Sequence, residues 1–341
     1  MRVLVVKPSS LGDVVHTLPA VALLRRTLPD CRLSWVVNDG LSDLLAFCPA
    51  IDRVVRFPRK SHRPGDFLAF LHELRAEAYD VCLDYQGLLR SGLMAWASGA
   101  RRRYGFASAR EGSRLFYDCP LAPPPDCRHA IDKNLWLTRE ALRLEVGTAP
   151  GDEPVAIPFA IPPEELSAAR ELLPPGEGPV VAVGFSSSWP SKNWPKEFFR
   201  DVLAQTAARC PGLRCWLLGS PAERTAGEAL RAICDGLPVV NLAGRTTLRS
   251  LCCLLRQTGA LLTNDSGPMH IAAALGTPCV ALFGATDPAL TGPYGASHRV
   301  FRSQCPQSPC FRRQCPRPNG RCEAGVPTAE VSAALAEFLR R

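Results

Sequence analysis

Three polar side chains, Asp265, Ser266 and His270, stand where a predicted strand gives way to a helix. Pro268 suits the first turn of that helix, and Gly276 suits its end. The unpaired amides and the positive end of the dipole at a helix N-terminus attract anions. The spacing therefore predicts an anion site that these three side chains surround.

The chain begins with the same arrangement. Apolar residues 3–6 predict a strand, a polar turn runs from Lys7 to Asp13, and the apolar spacing over 14–26 predicts a helix. Two such segments in one chain predict two nucleotide-binding-like domains whose crevices face each other. Asp13 itself fits two roles, a general base or a carboxylate that supports the helix N-terminus.

The alternation of apolar runs and helical patterns predicts an α/β fold with a parallel sheet in each half of the chain. The length of 341 residues suits two domains. We expect a first domain over 1–160, a Pro/Gly-rich linker over 161–179, a second domain over 180–326 and a final helix over 327–341. The predicted strands are 33–37, 54–57, 81–84, 180–184, 215–218, 260–263 and 279–283.

The formal charge of +8 favours anionic partners. Two basic clusters are either solvated surface or contacts for the phosphates and carboxylates of a glycolipid or for anionic lipid. Nucleic acid is not expected, because no aromatic residues are interleaved with them. The clusters are Arg56, Arg59, Lys60, His62 and Arg63, and Arg101 to Arg103.

No apolar run spans a bilayer, and the N-terminus lacks a signal-peptide pattern, so the sequence predicts a cytoplasmic protein. Most of the fifteen cysteines are scattered in apolar stretches and are expected to be buried free thiols. Four others share a polar loop with four, four and six intervening residues. We expect a structural zinc ion or iron–sulfur cluster, two disulfides, or four free thiols there. These residues are Cys305, Cys310, Cys315 and Cys322.

Taken together, these residues resemble glycosyltransferase family 9, the ADP-heptose:lipopolysaccharide heptosyltransferases. Segments 6–19 and 84–91 are similar to the N-terminal motifs of heptosyltransferase I. Segments 263–270 and 283–288 are similar to the donor-side signature of the family, and 264–267 is closer to heptosyltransferase II. No Gly-x-Gly-x-x-Gly fingerprint follows the first strand, which argues against a dinucleotide oxidoreductase.

The resemblance implies a GT-B fold of two Rossmann-like domains, with the last helix packed back on the first domain. It implies that the domain over 1–160 binds the acceptor and that the domain over 180–326 binds ADP-heptose. It implies an inverting transfer of L-glycero-D-manno-heptose from ADP-heptose to the 3-deoxy-manno-octulosonate (Kdo)-lipid A inner core, at the cytoplasmic face of the inner membrane. The alternatives are transfer to the first heptose, a nucleotide-sugar epimerase of the same fold, and a non-catalytic binding protein. No cofactor is expected for catalysis, because the sequence contains no Asp-x-Asp pair.

The resemblance also implies the roles of individual residues. Asp13 is the catalytic base, and its position at a helix N-terminus lowers its pKa, which a concerted transfer tolerates. Lys192 stabilises the departing diphosphate. The other donor-side residues are Ser187, Ser188, Glu223, Thr246, Asp265, Ser266, Gly267 and His270, and the acceptor-side residues are Lys7, Ser9, Ser10, Gly12, Arg59, Lys60 and Arg63.

Overall fold

A computed structural model of the chain describes residues 1–59, 61, 63–147, 159–316 and 322–340. It divides into two compact units, Met1–Ala160 and Ile161–Arg341. Lys60 and His62 of the first basic cluster lie outside the described residues.

The first unit is built on a six-stranded sheet in the order β3-β2-β1-β4-β5-β6. Its neighbouring strands are parallel, and the central ones are buried along almost their whole length, because helices cover both faces. The strands are β1 (Arg2–Val6), β2 (Arg32–Asn38), β3 (Arg53–Phe57), β4 (Val81–Asp84), β5 (Arg102–Phe106) and β6 (Cys119–Leu121). The helices are α1 (Leu11–Thr27), α2 (Pro64–Ala76), α3 (Leu89–Ala97) and α4 (Ala130–Val146).

The second unit repeats this plan with a six-stranded parallel sheet in the order β12-β11-β10-β7-β8-β9. The strands are β7 (Val180–Gly184), β8 (Arg214–Leu217), β9 (Val239–Asn241), β10 (Ala260–Asn264), β11 (Cys279–Phe283) and β12 (Arg299–Arg302). The helices are α5 (Pro163–Arg170), α6 (Lys196–Arg209), α7 (Arg224–Arg231), α8 (Leu248–Arg256), α9 (Gly267–Ala274), α10 (Pro288–Thr291) and α11 (Thr328–Leu339).

Both sheets reverse their strand order at the centre, between β1 and β4 in the first unit and between β7 and β10 in the second. The helices that follow the two central strands leave on opposite sides of such a sheet, which opens a crevice at its carboxyl edge. The polar turns singled out in the sequence therefore lie at the switch point of each sheet. The α/β fold with two parallel sheets is confirmed.

Two helices at the limits of the second unit pack within it. Helix α5 lies within the predicted linker and packs against α8, with an ion pair between Glu165 and Arg249. Helix α11 contributes its buried side chains Val331 and Leu335 to the core of the second unit, and its placement against the first domain stays a prediction. The linker helix and the last helix are thus built into the second unit.

Candidate functional site

The crevice of the first unit is formed by the turn after β1 and the loop after β4. The two segments are joined by a hydrogen bond of 3.3 Å from the Ser9 amide to Gln86 Oε1. Ser10 precedes α1, and Gly12 lies in its first turn, where the backbone is partly exposed. The predicted residues of this motif are therefore brought together at one edge of the sheet.

Asp13 lies in the first turn of α1, with its side chain 42% exposed. Its Oδ2 accepts hydrogen bonds from the Ser10 amide at 2.9 Å and the Ser10 hydroxyl at 2.7 Å. Its Oδ1 lies 3.8 Å from Lys7 Nζ. Burial would raise the pKa of this carboxyl, but the charge of Lys7 and the Ser10 donors hold the pKa below its ordinary value. Asp13 is therefore an oriented and ionised carboxylate that a substrate can reach.

Lys7 is buried at the end of β1 and donates a 2.9 Å hydrogen bond to the Tyr85 carbonyl. Burial lowers the pKa of its ammonium group, and the carboxylates of Asp13 and Asp84 oppose that shift. This geometry suits a lysine that supports the wall of the crevice.

The second N-terminal motif is held by Asp84, which is fully buried. Its carboxylate accepts hydrogen bonds from the Gln86 amide at 2.8 Å, the Gly87 amide at 3.2 Å and the Tyr117 hydroxyl at 2.7 Å. Burial raises the pKa of Asp84, and these donors oppose the shift. The residue shapes the loop that carries Gln86, and it has no access to solvent.

Two of the predicted acceptor-side arginines, Arg59 and Arg63, are exposed in the loop between β3 and α2. Because the strands are parallel, this loop lies at the same carboxyl edge as Asp13. Lys60, predicted to act with them, lies outside the described residues.

The crevice of the second unit centres on an ion pair between Lys192 Nζ and Asp265 Oδ2 at 2.7 Å, with both side chains largely buried. The same carboxylate oxygen accepts a 2.7 Å hydrogen bond from the Thr286 hydroxyl. The Ser187 hydroxyl donates to the Asp265 carbonyl at 3.1 Å. The loops after β7, β10 and β11 thus meet around one carboxylate, which holds Lys192 in place.

The remaining residues of the predicted anion site surround the start of α9. Ser266 precedes the helix, its hydroxyl lies 3.1 Å from that of Thr263, and Gly267 is the first helical residue. His270 is buried in the helix, and Ser188 is exposed in the loop after β7. The start of α9 therefore lies at the carboxyl edge of the sheet that also carries Lys192.

Glu223 and Thr246 lie farther along the same carboxyl edge, in the loops after β8 and β9. Glu223 Oε2 accepts a 2.6 Å hydrogen bond from the Ser220 amide. The loops pack together closely, since a Cβ on Gly244 would lie 2.8 Å from the Cα of Pro221. The structure therefore brings these two predicted donor-side residues to neighbouring loops at the same edge as the predicted anion site.

Sequence reasoning missed the part that the cysteine loop plays at this edge. The Ser191 amide donates to the Arg313 carbonyl at 3.1 Å, and the Ser191 hydroxyl donates to the Arg312 carbonyl. The Arg313 guanidinium lies 5.5 Å from the centre of the Trp189 ring, and Lys192 Nζ lies 4.7 Å from that centre. The loop thus places a second cation at the aromatic ring that Lys192 also contacts. The run of basic residues at 312–313 was the only signal for it in the sequence.

The four cysteines of this loop are gathered beside the same edge. Burial raises the pKa of Cys322 to about 11, and the neighbouring thiols of Cys315, Cys310 and Cys305 add to that shift. Cys322 packs on Gly284, where a Cβ would lie 2.7 Å from the cysteine Cβ. Within the described ranges, however, no three His, Cys, Asp or Glu side chains stand in an arrangement that would hold a metal ion.

Comparisons with known proteins give these features a family context. The family model described as "Glycosyltransferase family 9 (heptosyltransferase)" matches residues 67–320. Lipopolysaccharide heptosyltransferase 1 of Pseudomonas aeruginosa is 33% identical over 326 residues, which cover 92% of this chain and 87% of that protein.

Solved structures agree with this similarity. "E. coli heptosyltransferase WaaC with ADP" is 27% identical, with a TM-score of 0.75 and coverage of 89% of this chain and 93% of that chain. "E. coli ADP-heptose lps heptosyltransferase II" is 22% identical, with a TM-score of 0.82 and coverage of 100% of this chain and 99% of that chain, and shares the fold.

Proposed function

Because this chain belongs to glycosyltransferase family 9, the heptosyltransferases, we propose that it transfers L-glycero-D-manno-heptose from ADP-heptose to a Kdo sugar of lipid A. This is an inverting glycosyl transfer in the synthesis of the lipopolysaccharide core. The observation that carries the proposal is the geometry of Asp13, an ionised and accessible carboxylate held by Ser10 and Lys7 in the motif that resembles the family's catalytic segment.

Asp13 acts as the general base. As the acceptor hydroxyl oxygen attacks the anomeric carbon, its proton passes to the Asp13 carboxylate, and the bond from that carbon to the ADP oxygen breaks on the opposite face. The configuration at the anomeric carbon is therefore inverted. A carboxylate with a lowered pKa is a weak base, but it suffices because the hydroxyl becomes acidic only as its new bond forms.

The second unit binds the donor and stabilises the leaving group. Lys192 places its ammonium charge at the diphosphate, and the hydroxyls of Ser187 and Ser188 and the amides at the start of α9 donate hydrogen bonds to it. Asp265 would repel a diphosphate, so we assign it to the positioning of Lys192 and to contact with sugar hydroxyls. Glu223 and Thr246 lie where the nucleoside would extend.

The similarity to heptosyltransferase 1 favours the Kdo sugar over the first heptose as the acceptor. The acceptor is a glycolipid, so the protein would work at the inner membrane, on its cytoplasmic face. We further propose that Cys305, Cys310, Cys315 and Cys322 bind one structural zinc ion or an iron–sulfur cluster, because four thiols are a donor set that both prefer. No catalytic step passes through that group.

The decisive experiment is incubation with ADP-heptose, with and without deacylated Kdo-containing acceptor. Release of ADP that depends on the acceptor supports the transferase. Isomerisation of the heptose without acceptor would show an epimerase, and binding without either reaction would show a non-catalytic protein. Comparison of Kdo-terminated with heptose-terminated acceptor decides which core position is glycosylated.

A further inference from the structure

Two neighbouring helices of the first unit expose large apolar side chains to solvent. Helix α3 carries three of them at a spacing of four and then three residues, on one face of the helix: Leu89, Leu93 and Trp96, the last 58% exposed. On α2, Phe67 and Leu68 are also exposed, Leu68 to 64%. Scattered exposed apolar residues are ordinary, but a contiguous group on adjoining elements indicates an interaction surface.

These residues belong to elements that contact each other. Helices α2 and α3 pack side by side, and His72 and Arg75 of α2 line a shallow cavity together with Trp96. The short 3₁₀ segment Ser113–Phe116 packs on α3 at Gly92, where a Cβ would lie 2.8 Å from the Phe116 ring. That segment presents Leu115, which is 87% exposed. We name this surface the α2–α3 face; its apolar residues are Phe67, Leu68, Leu89, Leu93, Trp96 and Leu115.

The α2–α3 face is bordered by exposed arginines. Three carboxylates of the same segments are already engaged: Asp66 accepts from the Ser61 hydroxyl at 2.5 Å, Glu111 accepts from the Leu89 amide at 3.2 Å, and Glu73 pairs with Arg53 at 2.7 Å. Asp66 and Glu111 keep their negative charge, because their donors are neutral, whereas Arg53 neutralises Glu73. The exposed arginines outnumber the two remaining carboxylates, so the border is positive in sum. The arginines are Arg59, Arg63, Arg90, Arg110 and Arg114.

The face also adjoins the acceptor edge of the sheet. Helices α2 and α3 begin directly after the loops that follow β3 and β4, so their N-terminal residues Arg63 and Leu89 lie toward the edge that carries Asp13. In addition, the Arg110 amide donates to the Gly87 carbonyl at 2.9 Å, which joins the 3₁₀ region to the Gln86 loop. The apolar surface and the candidate base are thus neighbours within one unit.

We propose that the α2–α3 face docks on an anionic lipid bilayer, with its apolar residues in the interface and its arginines on the lipid phosphates. Amphipathic surfaces of this kind bind membranes by apolar insertion together with attraction to anionic headgroups. None of the helices in the described part of the chain is long and apolar enough for a bilayer span. The proposal rests on the proposed function, because a lipid-borne acceptor brings the membrane next to Asp13.

A second copy of this chain is a less suitable occupant. A symmetric contact through this face would bring the arginines of the two copies together, and like charges across an interface oppose association. Anionic headgroups satisfy both the apolar and the positive parts of the face.

The test is co-sedimentation of the full-length protein with vesicles of equimolar phosphatidylglycerol and phosphatidylcholine, and with vesicles of phosphatidylcholine alone. We expect binding to the anionic vesicles that weakens as salt is added. Leu93→Glu combined with Trp96→Glu should reduce partitioning by about tenfold or more. Arg59→Gln combined with Arg63→Gln should reduce it by about fivefold for each charge removed. The matched control is Leu144→Glu on α4, at a residue that is 48% exposed outside the face and should leave partitioning unchanged.

Turnover separates this proposal from the proposed function. The Leu93→Glu/Trp96→Glu variant, which changes no residue assigned to the acceptor, should keep the wild-type kcat/KM on deacylated acceptor in solution and lose about tenfold on acceptor embedded in anionic vesicles. Absence of any turnover by the wild type in solution would overturn the function, whatever the vesicle result. Wild-type partitioning by folded face variants would overturn the docking proposal. The wild type could instead form a dimer that the face variants dissociate, and fail to bind vesicles. That result would overturn the docking proposal and show that the face is an interface between two copies of the chain.

Discussion

Lys192 and Asp265 come from loops that follow different strands, yet their side chains form a 2.7 Å ion pair inside the donor crevice. Thr286 holds the same carboxylate oxygen from a third loop. A lysine side chain is flexible, and an ammonium fixed in this way loses less conformational freedom when it binds a phosphate. The pair therefore presents the cation at a defined position.

Lys192→Met should weaken ADP binding by about 10- to 100-fold, because a hydrogen bond to a charged group contributes about 1.5–3 kcal/mol. Part of this loss comes from Asp265, which then faces the diphosphate without its cation. The double variant Lys192→Met/Asp265→Asn should therefore bind ADP better than the single variant. Isothermal titration calorimetry measures the ADP affinity of both variants. Equal ADP affinity of the wild type and Lys192→Met would show that Lys192 does not contact the diphosphate.

Asp13→Asn should lower kcat by about 10²- to 10⁴-fold, the usual contribution of a positioned base, while the affinity for ADP stays unchanged. Asparagine keeps the shape of the side chain and can accept from Ser10, so the fold of the turn should be retained. The control is Asp30→Asn, at an exposed carboxylate in the loop before β2. Near-normal turnover of Asp13→Asn at saturating substrates would refute the assignment of the base.

The pH dependence of kcat/KM should show the effect of the positive charge of Lys7 on the pKa of Asp13. The lowered pKa of Asp13 keeps the base ionised to more acidic pH than an ordinary aspartate, so the acidic limb of kcat/KM should lie below the usual aspartate range. Because the folded-state pKa is below the unfolded one, the ionised carboxylate also adds stability above the unfolded pKa. That contribution is lost as the pH falls through the folded pKa.

Lys7→Met removes the cation 3.8 Å from Asp13, so the pKa of Asp13 should rise and the acidic limb should move to higher pH. Lys196→Met, at an exposed lysine of α6, is the control and should leave the limb in place. Thermal unfolding establishes that both variants are folded. If the acidic limb of kcat/KM stays in place in folded Lys7→Met, Lys7 does not set the pKa of Asp13.

Arg313→Ala should raise the KM for ADP-heptose by about threefold to tenfold with little change in kcat, because its exposed charge lies beside Lys192 and the Trp189 ring. The adjacent Arg312→Ala removes the same net charge from the same loop and serves as the matched control. Equal effects of the two substitutions would reduce the role of Arg313 to general attraction of an anionic donor.

Protein purified under anaerobic conditions, without a metal-binding tag, should contain about one equivalent of zinc, or the iron of one cluster, by elemental analysis. Cys310→Ser should lose that metal, whereas Cys127→Ser in the first unit should retain it. Full transferase activity should remain in EDTA as long as the protein stays folded. Metal-free protein with normal activity would show that the proposal of a metal site is wrong and would favour four free thiols.

Much of the carboxyl edge of each sheet was predictable from the local sequence pattern. Apolar runs marked the central strands, and the polar residues after them had to lie at the carboxyl edge of a parallel sheet, where crevices form. Strands β5, β6, β9 and β12 were not predicted, because they are short or interrupted by charged residues and pair at or near the edges of the sheets. Their place depends on the neighbouring strand rather than on their own periodicity.

The sequence by itself determined the α/β class, the two polar turns that begin α1 and α9, and the candidate base Asp13, since each is encoded within a few adjacent residues. Only the tertiary structure decided that Asp265 pairs with Lys192, that Asp84 is a buried support, that Arg313 stands beside Trp189, and that α11 packs in the second unit. These relationships join segments far apart in the chain. They depend on the order of the strands and on which apolar faces are buried, and a pattern of a few adjacent residues encodes neither.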